Sequence, residues 1–347
     1  QRVKGNIPYY GASGIIDYVN DYIFNESLLC ISEDGANLID RNYPIAFSIF
    51  GKTWVNNHSH VLRFSNYDTQ TLVEKYINSI NIQNFLTGMA QPKLNRGKLD
   101  VIPIPLPAIP KEQQKIASCL YSLNKLIITH NEKLNMLKNH KKGLMQKLFP
   151  QNGEKIPKLR FPEFVKEGEW EEKAIDTIGY VVTGSTPNKG QSDYWGGDNV
   201  WVTAQDFKEK NIYDSVLKLS DKGKEISRVL PKNSVLVTCI ASIGLNGINK
   251  VECSTNQQIN AIICKSLYHY ELVYYAIESN IKRLKNLAGY TALPIINKST
   301  FEKFNILIPK SFNEQQKIAS CLSSLDELIT AQAEKIEQLK LHKKGLM

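Results

Sequence analysis

The sequence predicts an α+β protein built twice from one plan, a β-rich globular domain followed by a long helix. Residues 112–120 read EQQKIASCL and return unchanged at residues 314–322. Short β-rich runs punctuated by glycine and asparagine precede each copy. Within each copy the apolar residues recur at alternating steps of four and three, which is the spacing of a coiled-coil seam.

The repeated helix extends well beyond those nine residues. At a constant offset of 202, residues 112–145 match residues 314–347 at 23 of 34 positions. Chance does not produce such a match, so the chain contains an internal duplication. The offset continues upstream, where Pro107 aligns with Pro309.

Both copies carry the same narrow apolar stripe. Its seam residues are Ile116, Leu120, Leu123, Ile127, Leu134, Leu137, Ile318, Leu322, Leu325, Ile329, Ile336 and Leu339. Two seam positions are polar in both copies, His130 and Gln332 at one, Lys141 and Lys343 at the other. We expect the helices to pack on each other, with each polar residue facing its equivalent and fixing the register. The alternative is that each helix packs on its own globular neighbour.

The predicted boundaries follow from this plan. They are a first domain at 1–110, a long helix at 111–149, a linker at 150–168, a second domain at 169–310 and a second long helix at 311–347. The linker is rich in proline and glycine. Residues 5–9 match residues 197–201, before which the second region has many more residues, so we expect the first domain to lack its opening strands here.

Inside the domains the apolar periodicity predicts short strands and one amphipathic helix each. The predicted strands include residues 15–19, 28–31, 46–50, 200–202 and 234–238, and the predicted helices are 71–86 and 270–287. Residues 101–110 read VIPIPLPAIP, a proline-rich extended entry to the first long helix.

The charge and the cysteine content limit the possible functions. The net charge is +9, and residues 111–149 alone carry eight basic and two acidic side chains. A basic helix suits phosphate contact, but also a solvated face or an acidic partner. The six cysteines form no CxxC pair, which favours reduced structural thiols and a cytoplasmic location. No apolar run is long enough to predict a membrane span.

Signs of catalytic chemistry are weak. Gly51-Lys52-Thr53 resembles the end of a phosphate loop, but Ala46 stands where that loop needs glycine. His58 and His60 share one strand face without further metal ligands nearby in the sequence. No nucleophile, base and orienting group assemble from spacing, so we expect neither a metal nor catalysis in this chain.

Polar and aromatic loops remain as candidates for DNA contact. Asparagine and glutamine can bind adenine edges, and lysine can contact guanine or phosphate. The candidate DNA-binding residues are Lys52, Thr53, Asn56, Asn57, His58, Ser185, Thr186, Lys189, Gln191, Tyr194, Gln205, Ser242, Asn256, Gln257 and Tyr290. For each residue, an ordinary hydrogen-bonded turn stays the alternative.

Several motifs in order give a specific resemblance over essentially the whole chain. They are the two prolines followed by EQQKIASCL and a helix ending HKKGLM, TGSTPNKGQSDYWGGDNVWVT, VTCIASIG, TNQQINAI, GNIPYYGASGIIDYV and WVNNHSHVLR. Together they resemble the specificity subunit of type I restriction–modification enzymes.

The resemblance implies two target-recognition domains, each reading half of a split double-stranded DNA site, and an antiparallel coiled coil that sets their separation. It further implies docking of two methyltransferase subunits, which would carry S-adenosylmethionine and methylate adenine, and a separate motor-nuclease subunit. The chain itself would hold no cofactor. A protein-binding coiled-coil adaptor, a subunit of a related bipartite-site restriction enzyme and a self-sufficient methyltransferase remain as alternatives.

Overall fold

A computed structural model describes residues 3–88, 91–288 and 294–346. The chain forms two compact units. Unit 1 comprises Gln1–Lys133 and Gln332–Met347, and unit 2 comprises Leu134–Ala331. Each long helix therefore contributes one end to each unit.

Unit 1 contains a β-rich domain and two helix ends. Its elements in chain order are β1 (Lys4–Gly11), β2 (Gly14–Val19), β3 (Phe24–Asn25), β4 (Leu28–Ser32), α1 (Asn37–Asp40), β5 (Ala46–Ile49), β6 (Lys52–Val55), β7 (Ser59–Leu62), α2 (Tyr67–Ser79), α3 (Arg96–Leu99), the start of α4 (Pro110–Leu148) and the end of α10 (Phe312–Gly345). The strands form two sheets, with orders β2-β1-β6-β3 and β5-β4-β7.

Unit 2 repeats this plan with additional strands. Its elements are the end of α4, β8 (Glu171–Ala174), α5 (Ile175–Ile178), β9 (Gly179–Thr183), β10 (Trp195–Val202), β11 (Asn211–Ile212), β12 (Lys218–Leu219), α6 (Asp221–Glu225), β13 (Val229–Leu230), β14 (Val235–Thr238), β15 (Asn246–Asn249), β16 (Cys253–Thr255), β17 (Ile259–Cys264), α7 (Tyr270–Ser279), α8 (Ile281–Asn286), α9 (Lys298–Glu302), β18 (Asn305–Ile308) and the start of α10 (Phe312–Gly345).

The two domains share a parallel strand pair inside otherwise antiparallel sheets. In unit 1, β1 runs parallel to β6, and in unit 2, β10 runs parallel to β16. Each pair is flanked by antiparallel strands, which gives the matching sheet order β12-β10-β16-β13. The other sheet of unit 2 has the order β11-β15-β14-β17-β9, and β8 pairs with β18. Strands β8 and β9 have no counterpart among the described residues of the first domain.

The predicted domain helices form, but shorter than expected. α2 begins at Tyr67 behind Asn66, whose side chain caps the helix by accepting from the backbone N–H of Thr69, and it ends at Ser79. The predicted helix at 270–287 is broken at Asn280, whose φ of −106° and ψ of 11° separate α7 from α8. The predictions from periodicity made both helices too long, because apolar residues continue beyond Ser79 and Asn280 at helical spacing.

The seam of the long helices is visible in their exposure. The predicted seam residues from Ile116 to Leu137 and from Ile318 to Leu339 are all buried or half-buried, and exposed residues mostly separate them. In unit 1 the Gln332 amide lies 2.8 Å from both Nδ1 and the carbonyl oxygen of His130. Lys343 in turn donates to Asn124 at 2.6 Å, so the two helix ends run antiparallel there.

The prediction for the polar seam residues is half right. His130 does face Gln332, but Lys141 does not face Lys343. In unit 2, Lys141 lies 2.8 Å from Asp326, the repeat equivalent of Asn124. Antiparallel packing explains this, because a residue late in one helix must meet a residue early in the other.

Packing on the globular neighbour also occurs. Ile318 and Leu322 of α10 are buried in the unit 2 core together with Leu148, Phe149 and the domain helix α7. Both predicted modes of helix packing therefore operate in unit 2. In the described part of the chain, no helix has the combination of length and apolar character that crossing a membrane requires.

Candidate nucleic-acid interface

The same polar turn follows the parallel strand pair in both domains. In unit 1 the Asn56 N–H donates to the carbonyl of Tyr10 at 2.9 Å, and its side-chain oxygen accepts from the N–H of His58 at 2.9 Å. In unit 2 the Asn256 N–H donates to Val202 at 3.1 Å, and its side-chain oxygen accepts from Gln258 at 3.1 Å. An asparagine that bonds the backbone two residues on fixes such a turn without a ladder partner.

The exposed residues on the two turns differ. In unit 1 His58 is exposed, and its Nδ1 lies 2.7 Å from the carboxylate of Asp34. In unit 2 the corresponding position is Gln258, and the exposed Gln257 accepts a hydrogen bond from the hydroxyl of Thr186. The common backbone therefore presents different donors and acceptors in the two domains.

In unit 2 a second loop lies directly against this turn. The N–H of Ser185 donates to the carbonyl of Thr255 at 2.8 Å. Gly184 permits this approach, because a Cβ atom there would lie 2.1 Å from the carbonyl oxygen of Asn256. Ser185, Thr186, Asn256 and Gln257, separated by about seventy residues in sequence, thus form one polar surface.

Two tryptophans hold the rest of that loop. Trp195 and Trp201 meet edge to face with ring centroids 4.9 Å apart. Their indole N–H groups donate to the carbonyls of Asn188 and Ser185, at 3.2 and 3.1 Å. Lys189 and Gln191 are exposed on the loop thus held, and Tyr194 is half-buried at its end.

Arg228 belongs to this surface and was missed from the sequence. Its guanidinium donates to the carbonyl of Thr183 at 2.8 Å, and its N–H donates to the hydroxyl of Ser185 at 3.3 Å. It is exposed and sits immediately before β13. Arginine is the side chain best suited to guanine and phosphate. Its positive charge was the only signal in the sequence, and a charge alone does not show which loop the side chain will meet.

Among the remaining candidates that the structure describes, Asn57 lies on the unit 1 turn and the others lie elsewhere. Lys52 begins β6, whereas Asn56 follows the end of that strand. The ammonium nitrogen of Lys52 lies 4.8 Å from the centroid of the Tyr22 ring. Gln205 and Ser242 are exposed on separate loops. Asn57 is exposed on the unit 1 turn. Tyr290 lies outside the described residues.

Thr53 corrects the prediction. It is fully buried within β6, and its hydroxyl has no hydrogen-bond partner in the described part of the structure. The interpretation of Gly51-Lys52-Thr53 as a loop predicted an exposed Thr53 side chain. These residues instead enter a strand, and because successive strand residues face opposite sides, Thr53 is buried where Lys52 is exposed. Its side chain is a core position.

The described residues show little that is reactive. They contain no cluster of three or more side chains suited to a metal ion. Burial raises the pKa of Cys239 to about 11 and that of Cys30 and Cys253 to about 12. A thiol with so high a pKa stays protonated near neutral pH and is a poor nucleophile.

Comparison with known proteins identifies the class. The family model for the type I restriction modification DNA specificity domain matches residues 1–139 and 167–341. The chain therefore belongs to the type I restriction–modification DNA specificity family. Members of this family are the specificity subunits, which do not themselves catalyse, so this chain is a specificity subunit rather than an enzyme.

Individual relatives agree. A putative type I restriction enzyme specificity subunit from Haemophilus influenzae is 29% identical over 339 residues, covering 94% of this chain and 82% of that protein. The MjaIX specificity subunit from Methanocaldococcus jannaschii is 38% identical over 168 residues, but that alignment covers only 46% of this chain and 39% of that protein.

Solved structures share the fold. The specificity subunit from M. genitalium superposes with a TM-score of 0.64 at 12% identity, covering 99% of this chain and 87% of that one. A chain from a type I restriction–modification assembly gives a TM-score of 0.60 at 14% identity, with coverage of 99% and 90%. At such identities the likeness concerns the fold.

Proposed function

We propose that the chain selects DNA for a type I restriction–modification complex by reading a bipartite double-stranded site, one half-site with each domain. The observation that carries this proposal is the shared turn at Asn56 and Asn256. The backbone of the turn is alike in the two domains, but the exposed side chains differ. Two like frames with unlike contact groups are what recognition of two different half-sites requires.

The reading surface of unit 2 comprises the turn at Asn256 and the loop that carries Ser185. Gln257 offers an amide for an adenine edge, and Lys189 and Arg228 offer cations for guanine or phosphate. In unit 1 the corresponding groups are Asn57 and His58. Lys52 lies at the opposite end of β6 from this turn. The sequence of the target depends on loop geometry and DNA deformation and is not assigned.

The paired long helices would serve as spacer and scaffold. Half-sites read in successive major grooves lie roughly 34 Å apart centre to centre. We further propose that two methyltransferase subunits dock on these helices and bring S-adenosylmethionine, and that a motor-nuclease subunit joins the complex. The duplicated helices would offer two copies of one partner nearly equivalent surfaces. The cytoplasm, where DNA and these subunits meet, is the proposed location.

Methylome sequencing of cells that carry the chain with its methyltransferase tests the proposal. We expect one new bipartite motif with methylated adenine in both halves. Replacing residues 170–305 with those of a relative should change one half-site and leave the other. The matched control inserts one heptad in α4, which should alter spacing or assembly without changing base identity.

Other outcomes would assign another role. If no bipartite motif appears although the complex assembles, the result would favour the hypothesis of a protein-binding adaptor and contradict the proposed role in DNA selection. Methyl transfer by the purified chain alone would favour a self-sufficient methyltransferase. Cleavage beside a bipartite site by a complex with different partner subunits would place the chain with the related enzymes.

A further inference from the structure

A second turn lies directly beside the turn at Asn256 in unit 2. Strand β14 is followed by Cys239, whose N–H donates to the carbonyl of Gln258 at 2.7 Å. The chain then turns back through residues 239–245, here called the flanking turn, and enters β15. Ser242 is exposed on the flanking turn. The surface proposed to read DNA therefore continues onto this turn.

Helix α8 packs on the flanking turn. Gly244 has a φ of +89°, and a Cβ atom there would lie 3.1 Å from the Ile281 side chain and 3.5 Å from Cε of Lys285. Glycine therefore allows this close approach of α8. A surface cavity of about 390 Å³ beside it is lined by Ala241, Ser242, Ile243, Leu245, Lys285 and Pro294. The side chain of Lys285 thus lies at the edge of the flanking turn.

Two lysines of α8 have free ammonium groups. Lys282 and Lys285 are three positions apart and therefore share one face of the helix. Both are exposed, and neither makes an ion pair within residues 3–88, 91–288 and 294–346. Arg283 between them lies 3.8 Å from the carboxylate of Glu172. Lysines without a carboxylate partner are available to contact phosphate groups.

A larger groove continues from Lys282 to the end of α4. Its volume is about 940 Å³, and its lining includes the exposed Lys138 and Lys142, which lie one helical turn apart on α4. The two carboxylates in this lining both pair with Lys141, at 3.4 and 2.8 Å. They therefore leave the other lysines without a counter-charge. The basic surface extends in this way from the flanking turn to the end of α4.

Unit 1 has an equivalent of the flanking turn but not of the two α8 lysines. The N–H of Glu33 donates to the carbonyl of His58 at 2.9 Å, as Cys239 does in unit 2, and the residue after Glu33 is also acidic. At the offset of 202, Ile80 and Gln83 occupy the positions of the α8 lysines. These lysines therefore belong to unit 2 and not to the scaffold that the repeat preserves.

We propose that Lys282 and Lys285, together with Lys138 and Lys142, form a track for the DNA phosphate backbone beside the half-site that unit 2 reads. This proposal rests on the DNA-reading function proposed above. Phosphate contacts carry no sequence information, so the track adds affinity and orients the duplex while the turn at Asn256 selects bases. The contact between the two turns favours DNA as the occupant, because a duplex read at one turn continues past the other.

The salt dependence of DNA binding tests the track in the complex of the full chain with its methyltransferase. The probes are a fluorescent duplex that carries the motif found by methylome sequencing and an equally long duplex without it. Lys282→Gln with Lys285→Gln should weaken binding to both duplexes by the same factor. The slope of log K against log salt should fall in magnitude by about two, roughly one for each lost phosphate contact. The motif methylated in cells should stay the same.

Two control variants separate a phosphate contact from a general loss of charge. Lys166→Gln with Lys232→Gln removes the same charge from exposed positions of unit 2, in the linker and between β13 and β14, and should leave the salt slope unchanged. Lys282→Arg with Lys285→Arg keeps both cations on α8 and should retain the parental slope. If the first control lowered the slope as much as the glutamine variant of α8, the track would be contradicted.

Uncharged methylphosphonate linkages locate the contact on the DNA. The exchange of residues 170–305 identifies the half-site that unit 2 reads. Neutral linkages beside that half-site should weaken binding by the parent complex about as much as the glutamine variant of α8 does. They should not weaken binding by that variant further, because its contacts with those phosphates are already lost.

The outcomes distinguish the track from the function on which it rests. An unchanged salt slope in the glutamine variant of α8, or equal weakening of parent and variant by neutral linkages, would overturn the track and leave sequence-specific binding intact. A parent complex that does not prefer the duplex with the motif would contradict the proposed function and the track with it. Loss of assembly with the methyltransferase, at an unchanged slope, would assign the lysines to an acidic surface of that partner and overturn the track.

Discussion

The two copies of the long helix place the same lysine in different electrostatic surroundings. In unit 2 the ammonium group of Lys141 lies 2.8 Å from Asp326 and 3.4 Å from Glu278. In unit 1 Lys343 instead donates to the neutral amide of Asn124. Asn124 and Asp326 occupy the same position of the repeat, so one divergent residue separates a charged contact from a neutral one.

The consequences spread through unit 2. Asp326 also accepts a hydrogen bond from the hydroxyl of Tyr275 at 2.5 Å, and Lys210 donates to Ser323 at 2.7 Å. Burial raises the pKa of Glu278, although Lys141 opposes the shift. In unit 1 burial, and then repulsion by Lys75, lower the pKa of Lys343. A duplicated seam position has thus become a half-buried ionic network in one unit and a weaker polar contact in the other.

Replacing the lysine should give the largest difference in stability effect between the two units. Lys141→Met removes the nearer cation from the half-buried carboxylates of Asp326 and Glu278 and leaves Lys210 at 3.9 Å from Asp326. It should lower the free energy of unfolding by about 3 kcal/mol. Lys343→Met removes one hydrogen bond to a neutral group and should cost about 1 kcal/mol. Urea unfolding followed by tryptophan fluorescence in a Trp54→Phe background reports unit 2, where the other three tryptophans lie. Equal losses for the two variants would contradict the comparison.

Exchanging the residue that each lysine contacts, Asp326 or Asn124, should reverse part of this difference in stability. Asp326→Asn gives unit 2 the amide of unit 1 and also weakens the bond from Tyr275, so it should cost about 1–3 kcal/mol. Asn124→Asp gives Lys343 a carboxylate and should stabilise by less than about 1 kcal/mol, because Lys343 is only partly buried. Amide hydrogen exchange along α4 and α10 measures both. A destabilised Asn124→Asp would mean that the carboxylate is not compensated there.

Variants of His130 and Gln332 test whether the seam requires a polar pair at its centre. Gln332→Leu leaves the His130 ring without its partner and should cost about 1 kcal/mol, whereas His130→Leu with Gln332→Leu should recover most of that loss. The readout is urea unfolding, together with the oligomeric state of each variant. If the double variant changes assembly while keeping its stability, the polar pair fixes register.

The smallest expected effect is on pH dependence. The folded-state pKa of Glu278 is raised, so the folded chain holds its proton more tightly than the unfolded chain. Its contribution to stability is present in full below the unfolded pKa and is lost as pH rises through the folded pKa. Glu278→Gln should therefore flatten the unfolding free energy between the ordinary glutamate pKa of 4.5 and neutral pH. A slope identical to that of the parent chain would exclude Glu278 as its source.

The sequence by itself determined the features that recur at a fixed spacing. The duplication, the two long helices, their seam and the contact of His130 with Gln332 all follow from periodicity, because a helix presents every third or fourth residue to one side.

The tertiary structure decided which distant residues meet. It buried Thr53, brought Arg228 to the loop at Ser185 and paired Lys141 with Asp326. None of these outcomes is encoded in the spacing of neighbouring residues. Burial and ion pairing depend on segments far apart in the chain, and identical sequences therefore acquire different surroundings in the two units.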